Sequence, residues 1–131
     1  MKTLTITESL NHKVGLVWEI ISDLSRSDWV PGVDEISMEE DTREFFMQGM
    51  GKIKEKILLC DERNKVLKYS AIETPAEIKH HLAYIELTES ETGCDFSWST
   101  EIDPEIYSSG VEKGMISSLE QLKKILDNQL P

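Results

Sequence analysis

The chain has 131 residues, of which 39% are hydrophobic and 30% charged, so it is long enough and apolar enough for one globular domain over residues 1–131. Its formal net charge of −11 opposes binding to nucleic acid or to anionic membrane surfaces, since both require basic patches. No stretch has the apolar length of a transmembrane helix, so we expect no membrane insertion.

The first ten residues, MKTLTITESL, contain no continuous apolar run and no small-residue cleavage site, unlike a secretory signal peptide. The two cysteines then fit a reducing, cytoplasmic location. Cys60 alternates in register with three lysines and is expected to face outward. Cys94 alternates with Phe96 and is expected to face inward. We therefore predict a cytoplasmic protein whose cysteines are not joined.

The N-terminal elements are predicted from a change of period. Residues 2–8 alternate, which predicts a strand with Leu4 and Ile6 on one face. Apolar residues then follow helical spacing at Val14, Val17, Trp18 and Ile21. This pattern predicts a short helix that Asn11 or Ser9 caps and that ends near Asp23.

The rest of the chain reads as strands followed by one long helix. Strands are predicted over residues 33–41, 43–48, 52–60, 66–73, 78–88 and 94–102. After Pro104 an apolar stripe at helical spacing comprises Met115, Leu119, Leu122 and Leu126. Gly110 and Gly114 share that face, which allows either close packing or space for a ligand. The order predicts an α+β fold in which the C-terminal helix covers an antiparallel sheet.

One predicted strand, GKIKEKILLCD, places a carboxylate on its apolar face. Alternation puts Glu55 together with Ile53, Ile57 and Leu59, whereas the opposite face carries three lysines and should be wet. An unpaired charge among apolar side chains costs several kcal/mol, or shifts its pKa and is neutralised. Glu55 therefore requires a partner.

Counting residues across the turns supplies candidate partners for Glu55. A turn centred on Met50 places Phe45 directly opposite Glu55. Arg43 and Tyr69 then lie on the diagonals, within reach of long side chains. Three interpretations remain open: a structural ion pair, the polar end of a ligand cavity, or a catalytic acid or base.

Few other residues suggest chemistry. His80 and His81 are neighbours on a strand, so they point to opposite faces and cannot hold one metal together; parity makes His81 the inward one. Trp98 is expected in the core or a cavity wall, and Trp29 is expected to pack the connection down or to line a cavity mouth. Cys94 and His81 are about 25 Å apart at strand rise, too far for a catalytic dyad. No zinc spacing, phosphate loop or dinucleotide fingerprint occurs, so no metal and no cofactor is expected.

Three segments carry a resemblance to a known family: VWEIISDLSRSDWVPGV, IKEKILLCDERNKVLKYSAIE and LTESETGCDFSWSTEID. They resemble the polyketide cyclase/dehydrase-like branch of the START-like (SRPBCC) superfamily, and the resemblance runs from about residue 4 to residue 127. It implies a helix-grip fold, in which a curved antiparallel sheet of about seven strands wraps around the C-terminal helix and leaves a cavity. Members bind lipids, sterols, polyketides or other apolar molecules, and a minority are enzymes.

Carried over by position, the resemblance implies nine cavity residues: Arg43, Phe45, Glu55, Tyr69, His81, Trp98, Met115, Leu119 and Leu122. The expected function is binding of a small, largely apolar molecule of lipid, polyketide or aromatic type. The alternative is a cyclase- or dehydrase-type enzyme that uses a cavity carboxylate or histidine. A third possibility is an interaction module whose interior is filled by its own side chains. No catalytic signature of the family matches, so no catalytic residue is assigned, and the oligomeric state is left open.

Overall fold

The computed structural model describes residues 1–129, which form one seven-stranded antiparallel sheet with helices against it. The elements in chain order are β1 (Lys2–Leu10), α1 (Val14–Ser22), β2 (Val33–Glu39), β3 (Thr42–Met47), β4 (Gly51–Asp61), β5 (Val66–Glu73), β6 (His80–Ser90), β7 (Gly93–Asp103), a 3₁₀ turn (Glu105–Tyr107) and α2 (Ser108–Asn128). The strands lie in the order β1-β7-β6-β5-β4-β3-β2. The predicted α+β helix-grip fold is confirmed. Within residues 1–129, no helix has both the length and the apolarity needed to cross a membrane.

The longest hairpin, β6–β7, follows the predicted alternation. Ile85 lies opposite Trp98 and Leu87 opposite Phe96, and all four side chains are buried on the concave face. Cys94 is buried on the same face, as predicted, and Cys60 is exposed; both are free thiols. β1 completes this side of the sheet by pairing along β7.

Both helices bury most of the stripe that their spacing predicts. In α2 the buried residues include Met115, Leu119, Leu122 and Leu126. In α1 they are Val17, Trp18, Ile20 and Ile21, whereas the predicted Val14 is only partly buried against the core. The predicted cap of α1 is wrong: the helix begins after Lys13, and no side chain caps it. Ser9 lies within β1 and donates to Asp95 instead, while Asn11 precedes the cap position by two residues.

The turn between β3 and β4 is centred one residue earlier than predicted. Gly49 has a φ of +85°, which suits the third position of a type II turn, and the Met50 N–H donates to the Met47 carbonyl over 3.0 Å. Arg43 consequently lies directly opposite Glu55. The predicted register, which placed a phenylalanine opposite Glu55 and the arginine on its diagonal, is therefore wrong by two residues.

A β-bulge in β4 changes which side chains of this strand point toward the concave face. The register against β5 shifts between Ile57 and Leu59, so that Leu59 pairs with Lys68 and is 40% exposed. The prediction that Leu59 faces inward is wrong, because one extra residue in a strand reverses the alternation beyond it. Glu55 precedes this bulge and is buried on the concave face, as predicted.

The concave face is covered unevenly. The main core joins α1, α2 and residues of β1, β5, β6 and β7. A separate small cluster comprises Val33, Phe45 and Ile53 on β2, β3 and β4. α2 packs mainly against β1 and β7, so it does not close over this second cluster. The uncovered part of the concave face is where the candidate site lies.

Candidate ligand-binding cavity

A cavity of about 490 Å³ lies between the concave face and the N-terminal half of α2, and the connection from α1 to β2 contributes to its wall. The bulky side chains of four residues lie in its wall and leave the space open: Phe45, Met47, Trp98 and Met115. The volume is within the range of small-molecule pockets. The possibility of an interior filled by the protein's own side chains is therefore contradicted.

The two glycines of α2 leave room at the cavity. Gly110 and Gly114 both line it, and a Cβ added at either would meet no atom within 4 Å, so they do not serve close packing. Ser118 lies one helical turn after Gly114, is buried, and also lines the cavity. The sequence analysis missed Ser118, although helical spacing from the glycines would have identified it.

The carboxylate of β4 and the guanidinium of β3 form an ion pair in the cavity wall. Arg43 Nε donates to Glu55 Oε1 over 2.7 Å, and only 12% of each side chain is exposed. The Arg43 Cζ lies 4.7 Å from the centre of the Tyr69 ring, a cation–π contact. All three residues line the cavity. Two of the three interpretations of Glu55 therefore apply together: it forms a structural ion pair, and that pair is a polar part of the cavity wall.

Tyr69 keeps its proton in this surrounding. Burial raises the pKa of its hydroxyl well above the ordinary value, and the Glu55 carboxylate raises it further, while Arg43 offsets part of the shift. A phenol with a raised pKa stays neutral and can donate a hydrogen bond. The nearby Trp98 indole lowers the pKa of Tyr69 slightly. The Trp98 Nε1–H is buried and donates to no hydrogen-bond acceptor within residues 1–129.

His81 replaces part of the sheet's hydrogen bonding. The ladder between β5 and β6 runs from Val66 to Tyr69 on β5 and does not extend to Ala71. There the His81 imidazole enters, and its Nδ1 accepts the Ala71 N–H over 2.9 Å, while Ser70 Oγ donates to the His81 carbonyl. Since Nδ1 acts as the acceptor, the proton of the neutral ring is on Nε2.

The pKa of His81 is lowered, chiefly because burial disfavours the charged ring; Glu55 partly offsets this shift, and the neighbouring His80 adds slightly to it. The ring is therefore neutral at neutral pH. It lines the cavity, and its centre lies 6.2 Å from that of Tyr69. The prediction from parity that His81 points inward agrees with this position, whereas His80 is exposed and meets Glu101 on the other face.

Two tryptophans form the apolar wall. The ring centres of Trp29 and Trp98 are 5.8 Å apart, and Trp98 meets Phe96 edge-on at 6.2 Å. Trp29 is 6% exposed and lines the cavity, so it both packs the connection down and borders the site. Thr100, two residues after Trp98 on the same face, also lines the cavity and was not among the predicted site residues.

The structure brings seven of the nine predicted residues together in the cavity wall: Arg43, Phe45, Glu55, Tyr69, His81, Trp98 and Met115. Leu119 and Leu122 lie elsewhere, in the main core, and do not contribute to the described wall. The physical reason is the course of α2, whose later turns pack on the filled side of the sheet.

Charged residues of the connection and of α2 also line the cavity. Asp23 and Lys113 are exposed, and Arg26 is engaged by Asp28 through contacts of 2.6 and 3.0 Å. This pair lowers the pKa of Asp28 and raises that of Arg26, mainly through its hydrogen bond. The sequence contains no pattern that would have assigned these residues to the cavity.

The arrangement can orient the polar group of an apolar molecule. Arg43, Tyr69 and the His81 Nε2–H are donors, and Glu55 is an acceptor. As His81 Nδ1 is already occupied, Glu55 is the side chain of this set that is able to accept a proton from a substrate. Across residues 1–129 no three His, Cys, Asp or Glu side chains come together as a metal site.

Comparisons with known proteins agree with this architecture. A family model described as "Polyketide cyclase / dehydrase and lipid transport" matches residues 1–127. Two Bacillus structures are similar. The protein XoxI from Bacillus cereus has a TM-score of 0.88 at 18% identity, with 98% of this chain and 97% of that chain covered. An uncharacterised protein from Bacillus thuringiensis has a TM-score of 0.86 at 18% identity, with 97% and 100% covered.

A plant protein shares the fold as well. Norcoclaurine synthase from Thalictrum flavum has a TM-score of 0.78 at 18% identity, with 98% of this chain and 87% of that chain covered. No curated protein matches the sequence. At these identities the similarity to solved structures establishes the fold and does not extend to a ligand or an activity.

Proposed function

The chain belongs to the polyketide cyclase/dehydrase and lipid transport family, and on that premise we propose that it binds a small, largely apolar molecule in its cavity. The observation that carries the proposal is the composition of the cavity wall. About 490 Å³ of space is bordered mostly by apolar and aromatic side chains, and Arg43, Glu55, Tyr69 and His81 form a polar group on the sheet side of the wall. Ligand pockets commonly combine a large apolar wall with a few polar groups that fix orientation.

The polar group explains how such a ligand would be held in one orientation. Its apolar body would contact Trp29, Trp98 and Phe45, which gain from removing apolar surface from water. Its polar atoms would meet donors that are already positioned, because Arg43 is fixed by Glu55 and His81 by the Ala71 amide. Lipid, polyketide and aromatic molecules all fit this description.

Native mass spectrometry of freshly purified protein, beside a denaturing spectrum of the same sample, tests the proposal. We expect an additional mass of a few hundred daltons that is lost on denaturation. Thermal shifts against a panel of lipids and aromatic compounds give a second reading, since a ligand stabilises the folded state by RT ln(1 + [L]/Kd). A clean native mass together with a flat panel would overturn the proposal.

Two glycine variants locate the bound molecule. Gly114→Leu adds a side chain at the cavity wall, whereas Gly15→Leu adds the same side chain on α1 outside it, and neither new Cβ meets an atom within 4 Å. We expect Gly114→Leu to reduce the bound mass and the thermal shift, and Gly15→Leu to leave both unchanged. Equal effects of the two variants would place the ligand elsewhere.

The alternative function is catalysis of a cyclase or dehydrase type, and the observation that favours it is a buried carboxylate beside two neutral donors. Glu55 would remove a proton, and the Tyr69 hydroxyl or the His81 Nε2–H would assist departure of the leaving oxygen. A β-hydroxy ketone such as 4-hydroxy-4-phenylbutan-2-one would then lose water to give the enone. Enone formation that disappears in Glu55→Gln would support catalysis. No enone formation with the unaltered protein would count against it.

We further propose a cytoplasmic protein that requires no nucleic-acid partner. Its two cysteines are free, and one of them is exposed, which suits a reducing compartment. Its net charge of −11 would repel a phosphate backbone.

A further inference from the structure

The charge of the polar group restricts the kind of ligand. We propose that the cavity selects a ligand whose polar group is an uncharged oxygen acceptor, such as a ketone, ester or amide carbonyl, and discriminates against the matching carboxylate. This inference rests on the proposed function and specifies the substrate class of the same site. It follows from the hydrogen-bonding capacity of the group and from its net charge.

The donors of the group outnumber its acceptors. Arg43 donates its Nε–H to Glu55, and its Nη hydrogens form no hydrogen bond within residues 1–129, so they remain for a ligand. Tyr69 stays protonated, and the His81 bond to the Ala71 amide leaves Nε2–H as the hydrogen that this ring can offer. A ligand oxygen that accepts hydrogen bonds therefore suits this end of the cavity.

The charges of the group cancel. Arg43 contributes one positive charge and Glu55 one negative charge at a contact of 2.7 Å, while Tyr69 and His81 are neutral. A carboxylate bound here would add a second negative charge to a desolvated site with a single cation. Burying such an uncompensated charge is costly, whereas a carbonyl accepts the same hydrogen bonds without one.

The remaining charged groups of the cavity wall do not supply the missing cation. Arg26 is already paired with Asp28. Lys113 and Asp23 are exposed, and their charges are opposite and screened by solvent. Glu55 is therefore the residue that sets the preference, because it removes the attraction that Arg43 would otherwise exert on an acid.

Two probes of equal size test the inference: 2-acetylnaphthalene, which presents a ketone, and 2-naphthoate, which presents a carboxylate in the same place. Titration calorimetry at neutral pH gives both dissociation constants. We expect the unaltered protein to bind the ketone more tightly than the acid by about tenfold or more, the ratio that corresponds to about 1.4 kcal/mol.

Charge variants identify the cause of that preference. In Glu55→Gln, Arg43 is no longer neutralised, so the ratio should fall by about tenfold or reverse. In the double variant Arg43→Gln/Glu55→Gln the net charge is again zero, so the ketone should again be preferred. Glu44→Gln is the matched control, because Glu44 pairs with Lys52 on the same two strands but on the solvent side. It should keep the original ratio.

Tyr69→Phe keeps the test decisive if Glu55→Gln does not fold, as judged by its thermal unfolding. Loss of one donor should weaken binding of the ketone by about three- to tenfold. Preference of the unaltered protein for 2-naphthoate, or an unchanged ratio in folded Glu55→Gln, would overturn the inference and leave ligand binding intact. Binding of neither probe also overturns it, and if the native mass is clean and the thermal panel is flat as well, the proposed function falls with it.

Discussion

β3 and β4 carry two ion pairs of nearly equal length on opposite faces. On the concave face Arg43 Nε lies 2.7 Å from Glu55 Oε1, and each side chain is 12% exposed. On the convex face Lys52 Nζ lies 2.9 Å from Glu44 Oε1, and the side chains are 56% and 41% exposed. The contacts differ less in geometry than in what surrounds them.

That difference in surroundings decides what each pair does. On the convex face the hydrogen bond lowers the pKa of Glu44 and raises that of Lys52, but water solvates and screens both charges, so the pair contributes little to stability. On the concave face each charge depends on its partner, since water is largely excluded. Removal of one partner there leaves a buried charge uncompensated. An ion pair therefore becomes structurally important through burial, and contact alone is insufficient.

The largest expected effect is on the free energy of unfolding, when the same substitution removes the glutamate of each pair. Glu55→Ala should lower the free energy of unfolding by about 3 kcal/mol, because Arg43 would remain buried without a counter-charge. Glu44→Ala should leave the urea midpoint unchanged within error. Urea unfolding followed by tryptophan fluorescence measures both. Equal midpoints for the two variants would show that the concave pair is as well solvated as the convex one.

A second comparison between faces uses neighbouring histidines. The folded-state pKa of His81 is lowered, so the unfolded chain takes up this proton first on acidification. The contribution of His81 to stability is therefore complete above about pH 6.5 and is lost as the pH falls toward its folded-state pKa.

Replacement of each histidine by glutamine isolates that contribution. His81→Gln can still accept the Ala71 N–H but cannot be protonated, so its stability should decrease less than that of the unaltered protein below about pH 6.5. His80→Gln changes the exposed face and leaves the buried ring in place, so its curve should stay close to that of the unaltered protein, since His80 adds only slightly to the pKa shift of His81. Urea midpoints across this range give the result, and parallel curves for all three proteins would contradict it.

The smallest expected effect concerns the helical glycines. Gly114→Ala and Gly15→Ala each add a methyl group where no atom lies within 4 Å. Inside α2, Gly114→Ala should stabilise the protein by roughly 0.5–1 kcal/mol, and Gly15→Ala, in the first turn of α1, should stabilise it by less. Of the two, Gly114→Ala alone should also reduce a ligand-induced thermal shift. Thermal unfolding with and without 2-acetylnaphthalene measures both quantities. Destabilisation by Gly114→Ala would indicate close packing in place of open space.

The sequence predicted which face of the sheet a side chain lies on better than it predicted which residue lies opposite it on the next strand. Alternation correctly placed Glu55 and Cys94 inside, because a strand's side chains alternate wherever no bulge intervenes. It failed for Leu59, which follows the bulge. The partner of Glu55 was misplaced by two residues because the turn depends on which glycine adopts a positive φ, and Gly49 and Gly51 both do.

Local patterns alone determined the order of the elements, the apolar stripe of the last helix, the α+β class and the inward position of Glu55, since each depends on residues close together in the chain. The helix-grip fold was implied by the resemblance to a family. The tertiary structure decided the rest. Whether the interior is open, which turns of α2 reach it, and that His81 takes over a ladder hydrogen bond all depend on how the helix lies across the sheet. Those facts are set by packing between distant segments, which no local period encodes.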